Sequence, residues 1–279
     1  MTELDIDFLR GWIGREQVSD DVLTEDLARK YHATFEMPGE APHLGEIAPR
    51  MIHFCLAQLA VPTSALGPDG HSRRGGFFPP VALPRRMWAG GLITFPGDLR
   101  VGDRIERRSR IVDVALKQGR GGPLCFVTVE HRIQVDEQKK LEERQDIVYL
   151  GLDGGGGKAA SPAQPGAYRR RVEGSAPLLF RYSALTFNGH RIHYDRRYVT
   201  EVEGYPGLIV HGPLQAAWLF NHAAELQGAP PSRFAFRGLS PLFDDDAIFL
   251  NAEVDGEGVK LWTAREDGPV AMSAEASWG

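Results

Sequence analysis

Apolar and polar positions divide the chain into two stretches with similar predicted elements. In the first stretch, Leu23, Leu27 and Tyr31 recur at helical spacing and predict a helix over residues 19–35. Residues 51–59 form an apolar run that fits either a strand or a helix. Residues 75–95 hold too much Pro and Gly for a helix and predict an extended loop followed by a strand. Turn-bounded apolar runs predict three further strands, at residues 104–114, 124–135 and 146–150.

The second stretch repeats this order of elements. Residues 176–183 predict a short apolar strand, and a polar loop follows it. Residues 212–226 predict a helix, because a Gly-Pro pair opens an apolar run that ends before another Gly- and Pro-rich turn. Three more strands are predicted, at residues 232–236, 247–254 and 259–265. One helix and several antiparallel strands per stretch indicate an α+β fold, with a sheet wrapped around a long helix.

Between the two stretches, residues 151–166 consist largely of Gly and Pro and predict a flexible linker. A glycine-rich phosphate loop is the alternative, but the segment lacks the Gly-Lys-Ser/Thr ending and the strand–helix context of such loops. We therefore expect an N-terminal module over residues 1–150 and a C-terminal module over residues 167–279.

Composition narrows the class of protein. The 279 residues are 42% apolar and 25% charged, which is typical of a globular protein with a sizeable core. A net charge of −5 disfavours a nucleic-acid partner. The N-terminus lacks a signal-peptide pattern, and no stretch approaches the ~18–20 apolar residues of a membrane span. We therefore expect a cytoplasmic protein without a membrane partner, in which Cys55 and Cys125 are reduced core thiols.

The candidate chemistry is concentrated between residues 180 and 213. Asn188, His190 and His193 lie in the polar loop, and His211 and Gly212 open the predicted helix. A histidine near its ordinary pKa can move protons at neutral pH. The free N–H groups of a helix N-terminus can hold an enolate oxygen. Together these groups suit chemistry next to a thioester carbonyl.

The same residues could also serve other chemistry. His190, His193 and His211 could bind zinc, but a His-x-x-His pair on a loop lacks a third ligand at a familiar spacing, and we expect no metal. A Ser–His–Asp hydrolase is disfavoured because no Gly-x-Ser-x-Gly motif occurs. Arginine forks bind carboxylates or phosphates in a bidentate manner, and Trp88 is expected in the core or the pocket wall. The arginine candidates are Arg85, Arg86 and Arg191.

The motif of residues 188–195, Asn-Gly-His-Arg-Ile-His-Tyr-Asp, followed by His211-Gly212, resembles the signature of the MaoC-like hydratase/dehydratase family. That family has the hot-dog fold, and its usual loop reads Asp-x-Asn-Pro-x-His-x-Asp. The resemblance implies that His193 is the catalytic histidine and that the Gly212 amide belongs to the oxyanion hole. Asn188 replaces the usual aspartate, and His190 replaces the usual asparagine.

This departure resembles a subgroup, the hydroxyacyl-thioester dehydratase type 2 proteins and their bacterial relatives. Residues 75–91, 99–103 and 145–150 also look like theirs, so the resemblance covers nearly the whole chain. Bacterial relatives include itaconyl-CoA hydratases of itaconate breakdown and hydratases of mesaconyl-CoA with the thioester on C4. The resemblance implies a double hot-dog fold, a CoA-thioester substrate, no separate cofactor and a homodimer. The C-terminal module would carry the catalytic loop, and the N-terminal module would shape the acyl pocket.

The implied mechanism gives each residue a role. His193 acts as base and acid, Asn188 orients the water, and Gly212 holds the thioester oxygen. Arg86 is the first choice for binding a distal carboxylate. The remaining substrate-binding candidates are His190, His211, Arg85, Arg191 and Trp88. Two alternatives stay open: a 3-hydroxyacyl-thioester dehydratase of fatty-acid metabolism, acting on carrier protein or CoA, and a non-catalytic acyl-CoA binding module.

Overall fold

The computed structural model describes residues 4–119, 121–151, 161–256 and 258–279. Its strands in these ranges are β1 Glu16–Val22, β2 Arg85–Thr94, β3 Arg104–Gly119, β4 Gly122–Val135, β5 Gln138–Leu150, β6 Tyr168–Val172, β7 Arg233–Gly238, β8 Ile248–Asp255, β9 Gly258–Arg265 and β10 Val270–Ser277. They form one antiparallel sheet in the order β1-β3-β4-β5-β2-β7-β10-β9-β8-β6.

Five α-helices accompany the sheet in the described part of the chain. They are α1 Ile6–Arg10, α2 Glu25–Thr34, α3 Ala176–Leu185, α4 Arg196–Glu201 and α5 Gly212–Gln227. Short 3-10 turns lie at Arg50–Cys55, Thr63–Ala65 and Arg191–His193. No helix among the described residues is long and apolar enough to cross a membrane.

The two halves of the sheet have the same strand order when each is followed inward from its outer edge. Each half begins with an edge strand, β1 or β6, and ends at the centre with its second strand in chain order, β2 or β7. Strands β2 and β7 pair with each other, so that Leu92 lies opposite Ala235. Helices α2 and α3 follow the two edge strands and meet through an edge-to-face contact of Phe35 with Tyr182, 5.9 Å between ring centroids.

The halves differ in what fills their centre. Helix α5 is almost wholly buried, with Leu214, Ala217 and Leu219 fully enclosed, and it packs against β8, β9 and β10. Its apolar residues belong to the main core, and burying each large side chain stabilises the fold by ~1.5–3 kcal/mol. At the corresponding point of the first half, between α2 and β2, the described chain forms no α-helix but two short 3-10 turns, Arg50–Cys55 and Thr63–Ala65. Space beside these turns remains open.

Several predicted elements agree with the structure. The loop-then-strand prediction for residues 75–95 corresponds to β2, and the helix predicted at 212–226 corresponds to α5. The strands predicted between residues 104 and 150 are present but longer, because their apolar–polar alternation continues through charged positions at the sheet surface. Both cysteines are buried free thiols. The linker prediction falls largely on residues 152–160, which lie outside the described residues.

The prediction of one helix over residues 19–35 was wrong in its first part. Residues of β1 pair in register with β3, Glu16 opposite Arg110 through Val22 opposite Arg104. The helix starts only after Thr24, whose side-chain oxygen accepts a hydrogen bond from the Leu27 N–H. Threonine is a preferred N-cap residue, so this cap sets the boundary between strand and helix.

The prediction of a strand at residues 176–183 was also wrong. This segment is helix α3, with a proline in its first turn and Leu179, Tyr182 and Ser183 buried at helical spacing. A short apolar run fits both a strand and a buried helix, and here the proline position decided in favour of the helix. Strands β6 and β10 were not predicted, because arginines dominate β6 and small residues dominate β10.

Candidate active site

A cavity of about 1240 Å³ is lined by residues of both halves. Strands β2 and β5 and the loop after Thr63 form one side, and the loop after α3 with the start of α5 forms the other. Its volume exceeds the ~300–1,000 Å³ of ordinary ligand pockets, so it has room for an acyl group and part of its carrier. The predicted site residues that line it are Arg85, Arg86, Trp88, Asn188, His190, His193, His211 and Gly212.

Helix α5 begins at Gly212, with His211 as its N-cap and a proline in its first turn. The N–H groups of a first turn have no partner within the helix, and the helix dipole adds partial positive charge to them. A Cβ on Gly212 would lie 2.8 Å from Cε3 of Trp88, so only glycine fits against this side chain. The helix end therefore presents backbone N–H groups to the cavity, as an oxyanion site requires.

His193 ends the 3-10 turn Arg191–His193 and is buried. Its Nδ1 lies 2.7 Å from the carbonyl oxygen of Ile209. A carbonyl only accepts hydrogen bonds, so Nδ1 carries the proton and Nε2 keeps a free lone pair. Burial lowers the pKa of His193 to about 4, against a smaller opposite effect of the Ile209 carbonyl. His193 is therefore a neutral imidazole with a base at Nε2.

His211 stacks on His193, with 3.6 Å between ring centroids and 16° between planes. Its Nε2 shares a hydrogen bond of 2.8 Å with the hydroxyl of Ser183, and burial lowers its pKa well below the ordinary value. Two stacked imidazole rings cannot both take up a second proton and become positively charged without strong repulsion. His211 thus favours a single protonation event in the pair and fixes the plane of the His193 ring.

Asn188 follows α3 and is half-buried in the cavity wall. Its N–H donates to the Ser183 carbonyl at 2.8 Å, and its Oδ1 accepts the His190 N–H at 3.0 Å. This side-chain-to-backbone turn holds the loop before the histidines. It occupies the amide oxygen and leaves the amide NH₂ as the group with which Asn188 can contact a water or substrate oxygen.

Residues 67–75 of the first half form a loop, which we call the crossing loop. It lies against residues 188–195 of the second half, the predicted catalytic loop. The Arg191 N–H donates to the Asp69 carbonyl at 2.9 Å. At Gly70, with φ +88°, a Cβ would lie 1.8 Å from the carbonyl oxygen of Gly189. Only glycine permits two backbones to approach this closely. The crossing loop therefore brings residues of the first half directly against the catalytic loop of the second.

The crossing loop delivers His71 to the histidine cluster. The His71 ring lies 4.1 Å from the His190 ring, which in turn lies 5.4 Å from His193. Asp69 Oδ2 lies 3.3 Å from Nδ1 of His71 and orients the ring. Burial, and then neighbouring positive groups, lower the pKa of both His71 and His190. The contact of His71 with His190 was not predicted from the sequence, because residues about 120 positions apart carry no shared local pattern.

Asp69, His71 and His190 each offer one ligand atom, all within 4.8 Å of one another. This differs from the set considered in the sequence, which combined His190 with His193 and His211. The guanidinium groups of Arg86 and Arg74 act on His71 and lower its pKa. Nearby positive charge also opposes binding of a metal cation. The prediction of no metal thus stays a prediction, and the local charge favours an anion.

The three candidate arginines differ in their surroundings. Arg85 is paired with Glu203 at 3.5 Å and lies over the Tyr205 ring. Arg191 binds Asp195 at 2.8 Å and lies outside the described cavity wall, so its predicted contact with substrate stays a prediction. Arg86 lines the cavity, and its guanidinium lies 4.6 Å from the centre of the Phe78 ring.

Trp88 forms the wall between the helix end and the first half. Its ring packs on Phe236 at 4.4 Å and edge-on to Phe54 at 5.6 Å, and it contacts Gly212 as described above. Its Nε1 is buried and has no hydrogen-bond partner within the described ranges. Trp88 is therefore both core residue and pocket wall, as the sequence indicated.

Known proteins share sequence similarity with this chain over most of its length. Residues 51–244 match the family model described as hydroxyacyl-thioester dehydratase type 2. The chain is 43% identical over 274 residues to a mesaconyl-C(4)-CoA hydratase of Chloroflexus aurantiacus, covering 96% of this chain and 97% of that protein.

Solved structures confirm the predicted α+β double hot-dog fold. A MaoC-like dehydratase of Phytophthora capsici superposes with a TM-score of 0.70 at 14% identity, covering 99% of this chain and 98% of that one. A Mycobacterium tuberculosis protein described as having a double hot-dog fold superposes with a TM-score of 0.59 at 13% identity, with 95% of both chains covered. At these identities the likeness concerns the fold.

Proposed function

The chain belongs to the hydroxyacyl-thioester dehydratase type 2 family and is a hydro-lyase acting on CoA thioesters, and we propose that it hydrates a branched C5 dicarboxylyl-CoA. The proposed substrate is mesaconyl-CoA with the thioester on C4, or itaconyl-CoA, and the product is citramalyl-CoA. The observation that carries the proposal is the neutral His193, with a free Nε2, held in one cavity with the N-terminus of α5.

The proposed reaction adds water across a C=C bond conjugated to the thioester. His193 Nε2 takes a proton from water while the oxygen bonds to the β-carbon. The C=C electron pair moves towards the thioester oxygen, which the Gly212 N–H stabilises as an enolate. The imidazolium then returns its proton to the α-carbon, so that all atoms of one water are added. Loss of one oxyanion donor costs ~2.7–4 kcal/mol in such sites, and proton transfer contributes ~10²–10⁴-fold.

Asn188 has no acid–base function, because its side-chain amide neither gains nor loses a proton near neutral pH. We assign its NH₂ group to orienting the attacking water, since its oxygen already binds the His190 N–H. Substitution of Asn188 by Asp restores the residue usual in the wider family. Complete loss of hydration in Asn188→Asp would support a specific need for the amide, and full activity would assign the residue no such role.

Itaconyl-CoA requires an additional step, because its double bond starts out of conjugation with the thioester. His193 would first remove an α-proton and return it to the terminal methylene carbon, which converts the substrate to the mesaconyl isomer. The same base then performs the hydration. Because the His193 pKa is lowered to about 4, we expect kcat/KM to fall only as the pH approaches that value and not near 6.5.

Arg86 is the proposed partner of the distal carboxylate, and His190, His211, Arg85 and Trp88 would shape the rest of the pocket. Several arginines line the acyl cavity, which favours a dicarboxylate over a plain fatty-acyl chain. We further propose that residues 1–150 and 167–279 are the two modules. The enzyme would act in the cytoplasm as a homodimer, with no cofactor besides the CoA of its substrate.

The test is a mass-spectrometric hydration assay with itaconyl-CoA, mesaconyl-CoA (thioester on C4) and crotonyl-CoA. A gain of one water on the two dicarboxylates, with crotonyl-CoA nearly inert, is the expected result. If only crotonyl-CoA or longer enoyl thioesters are turned over, the result would favour the alternative, a 3-hydroxyacyl-thioester dehydratase of fatty-acid metabolism. Tight thioester binding without any turnover would favour a binding module.

A further inference from the structure

Tyr149 and Arg86 lie directly opposite each other in the β2–β5 pairing. Side chains opposite each other in an antiparallel pair project from the same face, with Cβ atoms ~4.5–5.5 Å apart. Both residues line the cavity that holds the catalytic histidines. The register alone therefore places a phenol and a guanidinium side by side on the cavity wall.

The first of these two groups is the buried hydroxyl of Tyr149. The side chain is fully buried, and its oxygen has no hydrogen-bond partner in the part of the chain that the structure describes. Burial raises its pKa, so the phenol keeps its proton. A buried hydroxyl left unpaired is unfavourable, and such groups are uncommon unless a ligand or water completes them.

The second group is the positively charged guanidinium of Arg86. Among the described residues, its neighbour Arg85 is neutralised by Glu203, whereas no carboxylate lies within 4.0 Å of the Arg86 guanidinium. The phenyl ring of Phe78 covers one face of Arg86 and leaves its N–H edge free to bind. Arg86 lowers the pKa of His71 and of His190, so its charge acts on the histidine cluster.

The other cation beside Tyr149 is already used. Arg74 lies 5.2 Å from the Tyr149 ring, and its guanidinium donates to the carbonyl oxygens of Val81, Leu83 and Pro84. Arg74 therefore fixes the ring of Tyr149 without competing for a ligand. What remains is one unpaired O–H beside one unpaired guanidinium, which is the donor set of a carboxylate site.

We propose that Tyr149 and Arg86 together bind the distal carboxylate of the substrate and select acyl-CoA thioesters that carry this carboxylate on the β-carbon. This inference rests on the proposed function. The Tyr149 hydroxyl donates one hydrogen bond to the carboxylate, and Arg86 supplies the charge and a second contact. Because the β-carbon is also the carbon attacked by water, the pair fixes the reacting double bond against the catalytic histidines.

The deciding variant is Tyr149→Phe, with Tyr31→Phe as its matched control. Tyr31 is also fully buried with an unpartnered hydroxyl, but it does not line the cavity. In Tyr149→Phe we expect the ratio of kcat/KM for mesaconyl-CoA (thioester on C4) over crotonyl-CoA to fall ~10- to 100-fold, as for a lost hydrogen bond to a charged group. Arg86→Gln should lower the ratio further, and Tyr31→Phe should leave it unchanged.

Because both substrates share the CoA moiety, an equal loss on both would mean that the pair binds CoA phosphates, and this would overturn the proposal. An unchanged ratio in both Tyr149→Phe and Arg86→Gln would overturn it as well. Folding is checked by thermal unfolding. Tyr149→Phe should be at least as stable as the unaltered chain, because it removes a hydroxyl that makes no hydrogen bond to the described residues.

Equilibrium binding separates this proposal from the proposed function. Calorimetric titration with citramalyl-CoA and butyryl-CoA needs no turnover. A preference for citramalyl-CoA that Tyr149→Phe reduces ~10-fold or more supports the carboxylate site even if hydration of the dicarboxylates fails. Equal binding of the two thioesters, or a preference that Tyr149→Phe leaves unchanged, refutes the site even if hydration succeeds.

Discussion

The inner faces of the two halves of the sheet differ, although their strand order is the same. In the second half this face packs against α5 and is almost wholly apolar; its buried Thr263 donates a hydrogen bond to Gln215 of α5 at 2.8 Å. Its residues include Phe234, Ile248, Leu250, Ala252, Leu261, Met272 and Ala274. In the first half a polar band crosses the face. Its residues are Arg107, Ser109, His131, Glu143 and Gln145.

The polar band separates two apolar clusters on one sheet face. Ile105, Ile133 and Leu141 on one side belong to the main core, whereas Val129 and Ile147 on the other belong to a smaller cluster with α1. The band is held by internal contacts, including His131 to Ser109 at 2.8 Å and His53 to Glu143 at 3.6 Å.

This difference shows how one repeated topology serves two purposes. A filled half holds a buried helix, whose N-terminus becomes the candidate oxyanion site. The other half has two short 3-10 turns in place of that helix and keeps its interior partly open. Arg107, Ser109, His131 and Gln145 line the cavity there. Four measurements test this contrast.

The largest effect is expected for His193→Ala. If the chemistry lies in the second half, this variant should lose ~10²–10⁴-fold or more in kcat while keeping its fold, because the acid–base group is removed. The control is His43→Ala, at an exposed histidine of the first half. Retention of more than about a tenth of the activity would exclude His193 from the proposed role. Circular dichroism and thermal unfolding check the fold.

A substitution in the polar band should destabilise the fold more than a substitution on the apolar face. Glu143→Leu should cost ~3–5 kcal/mol in the free energy of unfolding, because it leaves His53 and the Arg107 charge without their buried carboxylate. Ile248→Val on the apolar face should cost only ~0.5–1.5 kcal/mol. Urea unfolding measures both. Similar costs at the two positions would contradict the contrast between the faces.

Gly212→Ala tests the contact by which the first half supports the helix end. The added methyl would press on Trp88 of β2, displace the helix N-terminus and lower kcat ~10²–10³-fold, as for a lost oxyanion donor. Gly151→Ala is the control, since a Cβ there meets no atom of the described residues within 4 Å. If crowding is the cause, combining Gly212→Ala with Trp88→Leu should restore part of kcat; no restoration would point to another effect of the methyl group.

The smallest expected effect is the loss of folding stability for each unit by which the pH is lowered. Burial lowers the pKa of His131 to about 3 and that of His193 to about 4, whereas an unfolded histidine titrates near 6.5. Below 6.5 the unfolded chain takes up protons that the folded chain excludes. Stability is therefore full above this pH and falls by ~1.4 kcal/mol per pH unit for each such histidine as the pH decreases. Urea unfolding between about pH 5 and pH 8 measures the slope, and His131→Asn should reduce it; a slope that is unchanged in that variant would refute burial of a neutral His131.

The sequence predicted what local pattern and motif determine. The start of α5 follows from a Gly-Pro pair before an apolar run, and His193 follows from its motif. The apolar segment that became α3 was misread, because length and hydrophobicity fit two structures. The placement of His71 and the unpaired hydroxyl of Tyr149 depend on tertiary contacts between distant residues, which no local pattern encodes.

The contact between Gly70 and Gly189 has a consequence for how the enzyme becomes active after synthesis. The loop that carries His190 and His193 is in backbone contact with a segment about 120 residues earlier in the chain. We expect this loop to reach its final arrangement only when that segment docks against it. Contacts of such long sequence separation form slowly, since closing a large loop costs entropy before the contact stabilises it. During refolding, enzymatic activity should thus return later than the signal of strand formation, and the lag reports the docking of the two halves.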